Sequence, residues 1–185
     1  MTRRRYAIAT AVAASLFATG YIAAAAVDPL PRLIWNASAS APIGLYRVRP
    51  DNLPPVGALV AVTPPAPLAR WLAMRRYLPE GVPLLKHVAA KPGARVCRIG
   101  ARVSIDARPV VIARSHDRFG RSLPVWQGCR TLKTGELFLL NAAHPDSLDG
   151  RYFGPLPAAA VLGRARPILT RDAPGAPLVW RLGQH

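Results

Sequence analysis

Residues 81–114 read GVPLLKHVAAKPGARVCRIGARVSIDARPVVIAR. Short runs rich in aliphatic and β-branched residues are interrupted at Lys91-Pro92-Gly93, at Gly100 and at Asp106-Ala107. Such breaks turn a chain back on itself, so the stretch predicts a meander of hairpins. That reading sets the class for the chain: mainly β and antiparallel, with one helical insertion and one N-terminal span.

The flanking segments extend the pattern. VDPLPRLIWNASAS, residues 27–40, reads as an extended approach, and IGLYRVRP, residues 43–50, alternates as a strand does. A loop at 51–57 precedes a second strand, ALVAVTPP, at 58–65. Between residues 67 and 78, Leu68, Trp71, Leu72 and Leu78 recur at helical spacing opposite Arg70, Arg75 and Arg76. This predicts a short amphipathic helix stopped by Pro79 and packed on the sheet, the other fate of such a helix being a membrane surface. SHDRFGRSLPVWQGC, residues 115–129, is polar and aromatic and reads as a loop. GELFLLN (135–141) and AAVLGRARPIL (159–169) are two further strands on either side of a loop, AAHPDSLDGRYFGPLP (142–157). The 20 prolines along the 185 residues suit short strands and turns.

Charge and the N-terminus speak to location. The formal charge is +16, from 25 basic and 9 acidic residues, and the only lysines are Lys86, Lys91 and Lys133. An excess of this size draws a protein to anionic lipid or to nucleic acid. The arginines are scattered, with no dense basic tract and no interleaved aromatics, which favours anionic lipid over nucleic acid. Residues 1–6, MTRRRY, form a basic segment, and residues 7–27 carry no charge over a length that can cross a bilayer. Arg3, Arg4 and Arg5 should then stay in the cytoplasm, with residues 28–185 forming an exported domain. The alternative is a cleaved signal sequence, because YIAAAAV, residues 21–27, offers small residues for cleavage. Cys97 and Cys129 suit an oxidising compartment as one disulfide, with two separate thiols as the other reading. Two cysteines with no second ligand pair nearby argue against structural zinc. His87, His116, His144 and His185 have no metal-ligand spacing, so neither a metal nor a cofactor is expected.

In PLLKHVAAKPG, residues 83–93, a strand would place Lys86 on one face with Leu84 and Val88, and His87 on the other. Burial there would disfavour the ammonium and leave an amine able to take a proton. The segment alone equally describes an edge lysine reaching to water. Ser38 and Ser40 lie in a turn-like stretch, and Ser147 lies in a loop with Asp146 and Asp149.

Taken in order, these pieces resemble the type I signal peptidase superfamily and, within it, the conjugative-transfer peptidases of the TraF type. NASASAPIGLYRV (36–48) looks like the nucleophile box, PLLKHVAAKPGARVC (83–97) like the lysine box, and DSLDGRYFGPLP (146–157) like the downstream box. The resemblance runs from about Asn36 to Leu169. It implies an antiparallel β catalytic domain and acyl transfer by a serine–lysine pair. Ser40 would be the nucleophile and Lys86 the general base. The Ser40 N–H and the Ser38 hydroxyl would form the oxyanion hole, and the Pro42–Gly44 turn would present both serines. Ser147 would orient the lysine, and Asp149 and Arg151 would support that loop as an ion pair. Three departures favour the conjugative subgroup over housekeeping signal peptidases. Ala41 follows the nucleophile where they carry Met, NAAHPD (141–146) replaces Gly-Asp-Asn, and Ala94 replaces an acidic residue. The expected substrate is an exported, pilin-like precursor, cut beside an inner membrane rich in anionic lipid with the catalytic domain in the periplasm. Two alternatives remain: a general signal peptidase, and a non-catalytic membrane-anchored assembly factor of the same fold.

Overall fold

The computed structural model describes residues 3–27 and 33–181. It divides into two units, Met1–Pro31 and Arg32–His185. The first contains one helix, α1 (Arg3–Val27). From Tyr6 to Ala26 its side chains are exposed and mostly apolar on every side, Leu16 and Phe17 among them, and Arg3–Ala26 is long and apolar enough to cross a membrane. A membrane anchor and a signal sequence both meet that description.

The second unit is mainly antiparallel β, as the punctuation of the sequence predicts. Its strands are β1 (Leu33–Asn36), β2 (Ile43–Arg49), β3 (Leu59–Val62), β4 (Leu84–Ala90), β5 (Arg95–Ile99) and β6 (Arg102–Ile105). After them come β7 (Arg108–Ile112), β8 (Gly128–Thr131), β9 (Glu136–Leu140), β10 (Leu156–Pro157), β11 (Val161–Arg171) and β12 (Val179–Trp180). An eight-stranded sheet has the order β1-β2-β11-β3-β4-β9-β10, with β12 also paired to β11, and a four-stranded sheet has the order β7-β6-β5-β8.

The stretch 81–114 is thus not one meander. Lys91-Pro92-Gly93 is where the chain leaves the large sheet, and only β5, β6 and β7 run as successive hairpins. The β6–β7 turn is made by Asp106 and Ala107, both at positive φ (47° and 64°), the geometry of a tight two-residue hairpin. Cys97 faces Cys129 directly across β5 and β8, and their sulfurs are 2.04 Å apart, a disulfide between neighbouring strands.

Apolar side chains fill both faces of β3. Ala61 packs with Ile34, Tyr46, Val48 and Leu85 on one side, while Val60 and Val62 pack with Val88, Leu137 and Leu139 on the other. The helix α2 (Ala66–Met74) joins the second group through Leu68, with Pro67 in its first turn where a missing N–H costs nothing. It ends earlier than the predicted residue 78. Arg76 takes a left-handed φ of 56°, its N–H reaches Ala73 O at 2.9 Å, and the Tyr77 N–H reaches Leu72 O at 2.9 Å. This six-to-one closure stops the helix before Pro79 is reached.

Gly44 lies inside β2, not in a turn, and faces Asn36 on β1 and Thr170 on β11. Its φ is 144°, and a Cβ there would stand 2.1 Å from Leu169 O. The expected Pro42–Gly44 turn is corrected accordingly: Pro42 closes the serine loop, and Gly44 lets β11 approach β2 closely. Gly44→Ala is expected to cost at least about 2 kcal/mol, read as a lowered thermal unfolding midpoint of the full chain in detergent. A midpoint within about 2 °C of the unsubstituted chain would contradict this close approach.

Candidate active site

The loop between β1 and β2 is shaped by a side chain at its entrance. Asn36, buried at the end of β1, shares its two Nδ2 hydrogens among Ser38 O (2.9 Å), Ala41 O (3.1 Å) and Pro42 O (3.0 Å). Its Oδ1 accepts from the Ser38 N–H (3.1 Å) and the Ser38 hydroxyl (3.0 Å). Tyr46 donates its hydroxyl to Pro42 O at 2.6 Å, and burial pushes that phenol up to about 12, so it stays a donor. The loop places the Ser38 and Ser40 hydroxyls 3.1 Å apart, Ser38 exposed and Ser40 half-buried. Among the described residues the Ser40 N–H donates to no protein acceptor, which leaves it open to a ligand.

Lys86 stands on β4 opposite Val60 and is only 3% exposed. The structure thus places it inside the fold and not at an edge. Its Nζ lies 2.9 Å from Ser147 Oγ and 3.4 Å from Ser40 Oγ. Burial lowers its pKa to about 8, opposed by the charge of Asp149 and reinforced by that of Arg151. At pH 7 about a tenth of the amines are then neutral and able to accept the Ser40 proton.

The third segment holds this arrangement in place. Ser147 is buried, and its N–H donates to His144 O at 3.0 Å. Asp149 and Arg151 form a buried two-pronged pair, Nε to Oδ1 at 2.8 Å and Nη2 to Oδ2 at 2.9 Å. Asp149 also caps the short helix α3 (Gly150–Phe153) by accepting from the Arg151 N–H. Arg98 on β5 donates to Arg151 O at 2.7 Å, tying the small sheet to this loop. Breaking such a pair from one side leaves a buried charge without its partner, a loss of about 3–5 kcal/mol.

All six residues expected at the site, Ser38, Ser40, Lys86, Ser147, Asp149 and Arg151, are therefore gathered in one place. Asp146 is not among them; it pairs with Arg114 at the surface. His87 is exposed and bonds to Asn141, whereas His116 lies on a remote loop against Ser115. No group of three metal-ligating side chains occurs among the described residues. Two site residues escape sequence reasoning. Asn36 has a weak local signal, an amide two residues before a serine, the spacing of an Asx turn. Asn141 donates to Ser40 O across 101 positions and to Leu85 O across 56, so no local pattern marks it.

A hydroxyl within reach of a buried amine, beside a free N–H and a second hydroxyl, is an arrangement suited to acyl transfer. Residues 3–170 match the family described as signal peptidase, peptidase S26, and the chain belongs to that family. Within it, the chain is similar to conjugal transfer proteins. It is 37% identical over 143 residues to a probable conjugal transfer protein TraF of Sinorhizobium fredii, covering 73% of this chain and 76% of the relative. To a conjugal transfer protein TraF of Agrobacterium fabrum it is 39% identical over 149 residues, covering 74% and 82%. Superposition on the crystal structure of a signal peptidase I from Enterococcus faecalis gives a TM-score of 0.36 at 19% identity, over 60% of this chain and 96% of that one.

If the neutral amine is the working form, log kcat/KM should rise with unit slope up to about pH 8 and then level off. The same shift makes charged Lys86 a cost to the fold below pH 8, relieved as the pH rises from 8 toward 10.5. A profile flat from pH 6 to 9 would contradict the assignment of the base.

Proposed function

We propose that the protein is a membrane-anchored serine endopeptidase that processes exported precursors by Ser–Lys acyl transfer. The observation that carries this reading is the position of the Lys86 amine, out of water and within reach of both Ser40 and Ser147. Neutral Lys86 takes the proton of the Ser40 hydroxyl as its Oγ attacks the scissile carbonyl. The oxygen that becomes negative is met by the Ser40 N–H and by the Ser38 hydroxyl, whose hydrogen turns to it from Asn36 Oδ1, each such donor being worth about 2.7–4 kcal/mol of barrier. Lys86 then gives its proton to the departing amine, leaving an acyl ester on Ser40. A second nucleophile, water or an amine, releases the acyl group by the same steps.

Membership of the signal peptidase family supports a peptidase, and the naming of the relatives supports a role in conjugation. A pilin-like component of a conjugative or type IV secretion system is the substrate this reading names. The helix α1 is taken as a retained inner-membrane anchor. Arg3, Arg4 and Arg5 keep its start in the cytoplasm, which leaves the β domain in the periplasm. Tethering holds the catalytic groups where precursors emerge and raises their effective concentration. The positive charge favours contact with anionic lipid.

The family description itself favours a second reading, a general signal peptidase of the same mechanism. Profiling of exported proteins against a pilin precursor separates the two. Ser40→Ala and Lys86→Ala in the full chain should each reduce processing of a co-expressed pilin precursor by on the order of a thousandfold or more. Processing at the unsubstituted rate by either variant would overturn the dyad, and no processing by the unsubstituted chain would favour a non-catalytic assembly factor.

A further inference from the structure

We infer that Asn141 is a positioning residue whose carboxamide sets the separation of Ser40 and Lys86. This inference rests on the Ser–Lys reading. Strand β9 ends at Leu140, which pairs with His87 on β4, and β9 offers no further residue to the segment carrying Leu85 and Lys86. The Asn141 side chain takes that place. Its Oδ1 accepts from the His87 N–H at 3.2 Å, and its Nδ2 donates to Leu85 O at 3.0 Å. These groups flank Lys86 on the edge of β4 that faces away from β3, where Lys86 itself pairs with Val60. The side-chain amide thus acts as one peptide unit of a strand that is not there, and it pins the backbone on both sides of the lysine.

The same amide reaches the nucleophile. Its second Nδ2 hydrogen goes to the carbonyl of Ser40 at 2.7 Å, and Oδ1 also lies 3.0 Å from His87 Nδ1. A primary amide has two donor hydrogens and two acceptor lone pairs; here both hydrogens and one lone pair are used, and the other lone pair is satisfied when His87 carries its proton on Nδ1. Asn141 is 2% exposed, so water cannot replace any partner that is lost. Its main chain is fixed as well: the N–H donates to Asp149 Oδ2 at 2.9 Å, and the carbonyl accepts from Arg151 Nη2 at 2.9 Å. One residue therefore touches the serine loop, the lysine strand and the Asp149–Arg151 pair.

Electrostatics favour an amide here over its acid. The titratable and charged groups facing this position are Lys86 and His87 from β4, and Asp149 and Arg151 from the following loop and α3. A carboxylate would oppose the carbonyls of Ser40 and Leu85, and it would add a second negative charge near the lysine. Lys86 would hold its proton to higher pH.

The test uses the full chain in detergent, with Asn141→Asp (equal size, no donors) and Asn141→Leu (similar size, no hydrogen bonds). Folded active sites are counted from the amplitude of the cooperative thermal unfolding transition, so that misfolded protein does not enter the rates. Per active site, Asn141→Asp is expected to lose on the order of a hundredfold in kcat with KM changed little, and its pH midpoint moves to higher pH. Asn141→Leu is expected to lose kcat while keeping the unsubstituted midpoint. Unsubstituted kcat and midpoint in Asn141→Asp would overturn the inference, and so would loss of the fold in both variants, which would make the role purely structural. Failure of the Ser–Lys reading is separable, because there Lys86→Ala would stay active. With Lys86→Ala inactive and Asn141→Asp unaltered, this inference alone falls.

Discussion

The removal of the Lys86 amine from water is the constraint on which the rest of the site depends. A buried ammonium is costly, and proteins commonly meet that cost with a carboxylate. Here the carboxylate that acts on it, Asp149, is engaged by two bonds from the Arg151 guanidinium, and the amine is left two serine hydroxyls as its partners. The arginine thereby does more than support a loop. With Asp149 free, its charge would hold the lysine protonated; with the pair intact, desolvation prevails and the pKa falls to about 8. A buried ion pair that contributes little net stability can still be required because of what it denies its neighbour.

Bringing the serine to this amine is a problem of sheet geometry. The serine loop joins β1 and β2, and β11 and β3 separate β2 from the lysine strand β4. In a flat sheet β2 and β4 would lie about 14 Å apart. The sheet curls instead, and β11 carries register breaks between Val161 and Gly163 and between Pro167 and Leu169. Gly44 and Gly163 let neighbouring backbone pass where any Cβ would collide, with Leu169 O and Arg49 O respectively. The glycine in the serine motif thus contributes to the site through the curvature of the sheet, at a distance from the chemistry.

Much of this was legible in the sequence. Pro/Gly punctuation between short apolar runs points to the class, and the three motifs in order point to the candidate residues that the fold brings together. What stayed hidden has tertiary causes. Nothing in PLLKHV distinguishes a buried lysine from an edge lysine; the burial comes from β3 and from Ser147, 61 positions away. The end of α2 is hidden because Arg76 adopts a left-handed conformation that arginine rarely takes, so the helix stops before the visible proline. The hairpin reading of 81–114 missed the change of sheet at Lys91-Pro92-Gly93, since a Pro-Gly turn can close a hairpin or redirect a chain. Asn36 and Asn141 escaped because most of what they bond is backbone, and a backbone carbonyl has no sequence signature.

The most direct test is the protonation of Lys86 itself. With only three lysines in the chain, 13Cε-lysine labelling gives a spectrum simple enough to assign by loss of one signal in Lys86→Ala. A titration of that signal in the full chain should report an apparent pKa of about 8. A value at or above the ordinary 10.5 would mean that the amine is charged under working conditions, and would contradict its assignment as the base.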